Sequence, residues 1–332
     1  MKALILKKHT CIEEHSLELL DIPKPVAGAG ELLVRVKVCG VCRTDLHLVE
    51  GDLAKSPLPI VPGHQIVGVV ESLGPGCQIF KPGDRVGVAW LRYTCGACAF
   101  CLSGRENLCN QSRYTGYHEN GGYAEYVKVL EAFAYPLPDG LSDEDAAPLL
   151  CAGIIGYRAL KRCHLPEKGR LGIFGFGSSA HIVIQIALHR QCEVFVATRA
   201  VEHQELARKM GATWAGSAEN PLPVEVDSAI IFAPAGQLVP IALQSVVKGG
   251  TVVSADISMS PIPQMDYVTC VFHEKVLSSV EANTREDGRE LLALAVAIPI
   301  KPHVHLFKLE EANRVLEKIK NHGISGSAVL VI

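Results

Sequence analysis

The chain has 332 residues, 48% of them hydrophobic and 20% charged, with a formal net charge of -3. This length suits about two domains, and the composition is that of a folded globular protein rather than a disordered or fibrous one. Both charge signs are mixed along the chain with no basic block or stripe, which argues against nucleic acid or an anionic membrane surface as the main partner.

The N-terminal MKALILKKHT is too short and too interrupted to read as a secretory signal. Twelve cysteines in such a chain point to a reducing, cytoplasmic compartment, where clustered cysteines are more often metal ligands than disulfides. From the start to about residue 150, short β-like runs at 31–38, 66–74, 84–90 and 121–129 are punctuated by Pro57, Pro59, Pro62, Pro75 and Pro82. That pattern predicts a mostly-β body with long loops. From about residue 153 the rhythm changes. Apolar runs at 170–177, 192–198, 228–234, 249–256 and 275–281 alternate with helix-length segments such as 178–191 and 202–212. The alternation predicts βαβ units and a parallel sheet with helices on both faces. After about residue 284, helices at 285–297 and 309–323 and a closing strand at 326–332 suggest a return to the first domain. The expected partition is therefore 1–152 with 285–332, and 153–284. The longest charge-free run, 229–247, is cut by Pro234, Gly236, Gln237 and Pro240. It reads as strand, loop and helix, not as a membrane span.

Cys95, Cys98, Cys101 and Cys109 follow a C-x2-C-x2-C-x7-C spacing in one Gly-containing, polar loop, 94–110. Four thiolates suit a tetrahedral Zn2+ and leave no position for substrate, so such a site is structural. Packed unligated cysteines, a pair of disulfides or an iron–sulfur cluster are the alternatives. A catalytic metal needs an open position, and a second, scattered set of ligand types is present. CGVCRTDLH carries Cys42, Thr44, Asp45 and His47, PGHQIVG carries His64 and Gln65, and PLLCAGIIGY carries Cys151. Each fragment alone is weak.

In this order, and followed by GFGSSA, these motifs resemble the zinc-dependent medium-chain alcohol dehydrogenases over essentially the full length. The resemblance implies an α/β chain: a GroES-like, mostly-β catalytic domain with a structural zinc lobe, plus a doubly wound Rossmann cofactor domain. It implies two Zn2+ per chain, with Cys42, His64 and Cys151 on the catalytic ion and the four-cysteine lobe on the other. Thr44 matches the hydroxyl that accepts the alcohol proton and His47 the imidazole that passes it, through the cofactor ribose, to solvent, while Asp45 matches the carboxylate that orients the ligand His, or else simply caps a loop. The family usually has Glu after the ligand His, a residue that approaches the metal when ligands exchange; here it is Gln65. Trp90 matches a wall of the substrate cleft, with Leu53 and Tyr117 as further walls, although Trp90 also fits a core aromatic. A narrow cleft favours primary alcohols and aldehydes; a polyol or secondary-alcohol dehydrogenase of the same superfamily, or a non-catalytic zinc-binding interaction module, is the competing reading. Homodimers or homotetramers, joined through the edge strand of the cofactor domain, are what the family implies.

GFGSSA runs from a strand into a helix through Gly175, Gly177, Ser178, Ser179 and Ala180, the G-x-G-x-x-A turn whose glycines let the backbone approach a pyrophosphate at a helix N-terminus. At the end of the second strand, where an NAD site places Asp or Glu, stand Thr198 and Arg199. A guanidinium there pairs with a 2'-phosphate, so NADP(H) is favoured over NAD(H), unless Arg199 is simply a surface residue.

Overall fold

Residues 31–41 alternate apolar side chains with Arg35 and Lys37, and the computed structural model, which describes residues 1–53 and 56–332, places them in one long strand, Glu31–Val41. Its neighbours complete a seven-stranded sheet in the order Val304–Lys308, Ser327–Val331, Glu31–Val41, Gln65–Leu73, Arg85–Val88 and Ala134–Pro136, with Tyr126–Leu130 also paired to Glu31–Val41. The closing strand Ser327–Val331 runs antiparallel to Glu31–Val41, so the C-terminus lies in the same sheet as the first half of the chain. One apolar core joins Val34, Val36, Ile66, Val70, Val86 and Val88 to Leu46 and Val49 of the helix Arg43–Glu50 and to Val315 and Leu316 of the helix Ala312–Lys320. Burial of each such side chain contributes about 1.5–3 kcal/mol.

Several strands begin or end away from their sequence pattern, for traceable reasons. The run 121–129 becomes strand only at Tyr126, because the N–H groups of Gly121, Gly122 and Tyr123 bond the carbonyls of Val61, Gly63 and Pro62 instead of a ladder. The run 84–90 is strand only over Arg85–Val88; Trp90 has left it, and its carbonyl accepts from Thr115 N. The segment 309–323 opens with a 3-10 turn, Leu309–Glu311, before the α-helix, with the Glu311 carboxylate accepting from Lys308 N at 2.9 Å. The strands Lys2–Leu6, Leu17–Asp21 and Val304–Lys308 had no distinct signal in the sequence.

The chain divides into two units, one of Met1–Ala152, Ala282–Ala297 and Pro302–Ile332, the other of Gly153–Glu281 and Ile298–Lys301. The second unit holds a six-stranded sheet whose paired strands are all parallel, in the order Trp214–Gly216, Glu193–Ala197, Arg170–Phe174, Val226–Ile231, Val246–Ser254 and Val276–Ser279. Numbered within the unit this is 3-2-1-4-5-6, the doubly wound dinucleotide-binding order. Its central strands read as continuous apolar runs because both faces are covered: Leu171, Ile173, Phe174, Val194 and Val196 are all buried. The charge-free run 229–247 resolves into the end of the strand Val226–Ile231, a loop, the helix Leu238–Ser245 and the start of the next strand. Among the described residues, no helix is long and apolar enough to cross a membrane.

Candidate active site

Cys42 is the N-cap of the helix Arg43–Glu50, which fixes its side chain at the mouth of the first turn. His64 immediately precedes the strand Gln65–Leu73 and is fully buried. The backbone before it turns through Gly63 at φ +95°, and a Cβ on Gly63 would lie 2.4 Å from the Tyr123 ring, so glycine is required on both counts. Cys151 sits on a π-turn, Leu149–Gly153, between the helices Asp143–Pro148 and Ile154–Arg162. Single π-turns of this kind often occur at functional sites.

These three residues, 22 and 87 positions apart along the chain from His64, meet at Nε2 of His64, which lies 3.5 Å from Cys42 Sγ and 3.2 Å from Cys151 Sγ, while the two sulfurs are 4.0 Å apart. A tetrahedral zinc with Zn–S of about 2.3 Å and Zn–N of about 2.0–2.1 Å needs sulfur–sulfur edges near 3.8 Å and sulfur–nitrogen edges near 3.6 Å. The donor set therefore fits one such ion.

Asp45 does two things at once. Its Oδ2 accepts from Cys42 N at 2.9 Å, closing the helix start, and its Oδ1 stands 3.2 Å from Nδ1 of His64. The two readings of this residue are not alternatives: one carboxylate caps the helix and faces the His64 imidazole, which leaves Nε2 toward the sulfurs. The electrostatics follow. Burial opposes charge on His64, but Asp45 and Cys42 outweigh it and its pKa is pushed up to about 10. The Cys42 thiol is pushed well up by the neighbouring Cys151 sulfur and by burial. A half-buried pair of thiols on a buried imidazole is unfavourable chemistry for thiolates unless a cation joins them, which is the character of a metal site.

Gln65 is buried at 2% exposure, and among the described residues its Nε2 has no hydrogen-bond partner. It faces Gly40 across the ladder, where a Cβ would lie 2.7 Å from Gln65 Oε1. Thr44 and His47 share one face of the helix Arg43–Glu50, three residues apart.

The lobe cysteines also converge. Cys95 Sγ is 3.9 Å from Cys101 Sγ and 3.5 Å from Cys109 Sγ, and Cys98 Sγ is 3.6 Å from Cys101 Sγ. All twelve cysteines are free, and these separations are far beyond a disulfide bond of about 2.05 Å, so the disulfide reading is overturned. The edges again match one tetrahedral ion. Backbone N–H groups of Cys95, Cys98 and Gln111 point at the sulfurs from 3.4 Å. The Cys95 thiol is held down to about 6 by the N–H groups of Ala97 and Cys98, which favours the ligating thiolate.

In the second unit, the strand Arg170–Phe174 turns at Gly175 into the helix Ser178–His189, which begins with Ser178, Ser179 and Ala180. Gly175 has φ +90°, and a Cβ there would lie 2.9 Å from that of Ala233. A Cβ on Gly177, the N-cap, would meet nothing within 4 Å, so the helix N-terminus is open to an anion at that point.

A model of the alcohol dehydrogenase GroES-like domain matches residues 28–139. A probable alcohol dehydrogenase, AdhA, of Mycobacterium tuberculosis is 47% identical over 337 aligned positions, covering 100% of this chain and 97% of that one. An alcohol dehydrogenase of Geobacillus stearothermophilus is 34% identical, with 100% of both chains covered. The solved alcohol dehydrogenase of the archaeon Aeropyrum pernix superposes with a TM-score of 0.88 at 27% identity, again over 100% of each chain. The chain belongs to the zinc-type medium-chain alcohol dehydrogenases.

It is therefore an oxidoreductase acting on alcohols, with zinc and a nicotinamide nucleotide as the cofactors of its kind. The interaction-module reading falls away with this. Of the residues expected to decide cofactor choice in this dehydrogenase, Thr198 is buried, its N–H bonded to Gly216 O and its carbonyl to Gln204. Arg199 is exposed, and among the described residues its guanidinium has no partner. Trp90 is half-buried and belongs to an aromatic cluster. It meets His64 edge-on at 4.8 Å, stacks on Tyr114 at 4.9 Å and tilts against Tyr117 at 5.7 Å. Tyr114 and His118, which stack on one another at 5.5 Å, escaped the sequence reading. Only the aromatic density of YTGYH could have pointed to them. Leu53 and Tyr117 are partly buried against the core of the first unit.

Proposed function

We propose that the enzyme is a zinc-dependent alcohol dehydrogenase and aldehyde reductase that works with NADP(H) in preference to NAD(H), on primary alcohols. The reading rests above all on the 3.2–4.0 Å triangle of Cys42, His64 and Cys151, with Asp45 behind the imidazole. When bound, zinc supplies Lewis-acid chemistry, polarising the substrate oxygen and lowering the pKa of an alcohol, and the nicotinamide accepts or returns the hydride.

The chain's own groups do the rest. Cys42, His64 and Cys151 hold the catalytic ion and Asp45 orients His64. Thr44 takes the hydroxyl proton from the alcohol and gives up its own toward His47, because a hydroxyl is too weak a base to keep it. Gly175, Gly177 and the N–H groups from Ser178 to Ala180 would cradle the pyrophosphate, and Arg199, without another partner among the described residues, would pair with the 2'-phosphate while Thr198 lies beside it. Trp90, flanked by Tyr117 and Leu53, narrows the substrate site. Cys95, Cys98, Cys101 and Cys109 hold a second, structural zinc that keeps the lobe 94–110 in shape. The twelve free cysteines suit a reducing cytoplasm. Exposed Val276 and Leu277 on the edge strand Val276–Ser279 support a homodimer or homotetramer built through that edge.

A steady-state panel of primary and secondary alcohols and their carbonyl partners, with both nicotinamide nucleotides, tests substrate class and cofactor choice together. Zinc analysis of the same preparation should give two ions per chain. Equal or better kcat/KM with NADH defeats the NADP reading, and faster turnover of secondary alcohols defeats the primary-alcohol one.

A further inference from the structure

The helix Arg43–Glu50 ends at Gly51, which adopts φ +81° and donates its N–H back to the carbonyls of His47 and Leu48. The chain then folds Asp52 onto the same residue twice. Its backbone N–H donates to His47 O at 2.9 Å, and its Oδ2 lies 2.8 Å from Nδ1 of the His47 ring. The ring itself is only 13% exposed, whereas the Asp52 carboxylate is 55% exposed. The other ring nitrogen, Nε2, is buried and has no hydrogen-bond partner among the described residues.

A carboxylate can only accept, so the nitrogen facing it must carry hydrogen. In a neutral imidazole that makes the opposite nitrogen the lone-pair acceptor. A buried polar atom without a partner is costly and rare, and each one calls for an explanation. Here the orphan is the nitrogen that a proton relay needs, and the carboxylate that forces it to be an acceptor sits on the turn directly after the helix. Free histidine does not make this choice for itself.

We propose that Asp52 is the positioning residue of the proton relay: it holds His47 in the Nδ1–H tautomer, so that Nε2 receives the proton released by the alcohol. This rests on the relay role given to His47 above. The proton balance is closed. The alcohol O–H gives its proton to Thr44, the Thr44 hydroxyl proton moves on toward Nε2 of His47, and the imidazolium so formed is offset by Asp52 until it loses a proton to water. Gly51 serves the same end, since a Cβ there would lie 3.0 Å from the Cβ of His9 and the turn that aims Asp52 needs positive φ.

The test uses the full, zinc-loaded enzyme with and without the nicotinamide nucleotide. Long-range proton–nitrogen correlation on protein labelled at histidine nitrogen, at a pH where imidazole is neutral, should show His47, assigned by its loss in His47→Gln, as the Nδ1–H tautomer. In Asp52→Ala the signal should move to Nε2–H, and in Asp52→Asn, whose amide oxygen can still accept, Nδ1–H should persist. The single-turnover rate of alcohol oxidation should fall about tenfold in Asp52→Ala with the alcohol KM within about twofold, the scale expected for loss of a group that orients a catalytic imidazole. Asp52→Asn should recover most of the rate. In a His47→Gln background, Asp52→Ala should add nothing. An Nε2–H tautomer in the wild type, an unmoved tautomer in Asp52→Ala, or an equal rate loss in both backgrounds overturns the proposal. A His47→Gln enzyme with the wild-type rate overturns the relay reading itself, while the tautomer measurement independently reports the pairing.

Discussion

Glu106 ties the cysteine lobe to a distant part of the chain. It lies on the 3-10 turn Glu106–Leu108, just before Cys109, and its carboxylate receives Arg285 N at 2.8 Å, Nε at 3.0 and 3.1 Å and Nη2 at 2.6 Å. Arg285 opens the helix Arg285–Ala297, and its guanidinium also lies over the Phe133 ring at 4.6 Å. Glu106→Gln keeps one acceptor oxygen and loses the charge and the bidentate fork. Exposed pairs contribute about 0–1 kcal/mol and breaking a fully buried one costs about 3–5. With side-chain exposures of 31% and 12% this pair stands between them, so a loss of about 2 kcal/mol is expected.

The pH dependence has a definite sign. Burial works against the Glu106 charge, but the hydrogen bonds and charge of Arg285 overcome it and hold the carboxyl below its ordinary value of 4.5. A carboxyl with a folded pKa below its unfolded one stabilises fully above the unfolded value and loses that contribution as pH falls through the folded one. Urea unfolding of metal-loaded wild type and Glu106→Gln should therefore differ in midpoint by roughly 0.5 M between pH 6 and 8, with the gap closing below about pH 4. A gap that persists unchanged in acid, or no gap at neutral pH, refutes the reasoning.

Cys151→Ala removes one of the three proposed ligands, whose donor atoms meet within 4.0 Å; zinc content should drop from two to one per chain and alcohol oxidation by at least about 10³-fold, with the lobe intact by circular dichroism. Retention of both ions and of turnover would show that these thiols are not ligands. Arg199→Ala should lower kcat/KM for NADPH by about 10–100-fold, the value of a charge-assisted contact, while NADH changes less than about threefold. Parallel losses with both nucleotides would remove Arg199 from the 2'-phosphate. Gln65→Glu introduces an acid into a position that is 2% exposed and, among the described residues, offers no partner for the side-chain nitrogen; the pH profile of turnover should change shape, and superimposable profiles would deny Gln65 any influence on the metal.

Much of this molecule is legible in its residues because the relevant physics is local. Four cysteines within fifteen positions can reach a single ion whatever the rest of the chain does, so the lobe declares itself by spacing. The apolar runs around Ile173, Val196 and Ile230 mark strands covered on both faces, and Gly175-x-Gly177 before a helical pattern marks a phosphate turn. The family resemblance likewise rests on fragments that can be quoted one by one.

What the sequence could not decide is which distant groups touch. Cys151 reaches His64 only because a π-turn interrupts two helices, and a wider turn leaves no trace in residue spacing. Trp90, Tyr114 and His118 form one cluster because a short strand pair, Leu91–Tyr93 with Arg113–Tyr114, brings both ends of the lobe together. Asp45 reads from sequence as a cap or as a partner of His64, and is both, since its two oxygens face different elements. Asp52 looks like an ordinary turn residue until the positive φ of Gly51 folds it back onto His47. Sequence by itself determined the elements and the chemistry available, because propensity and local spacing act over a few residues. Tertiary structure alone decided which of those groups share a site, because that depends on long-range strand register and close backbone packing.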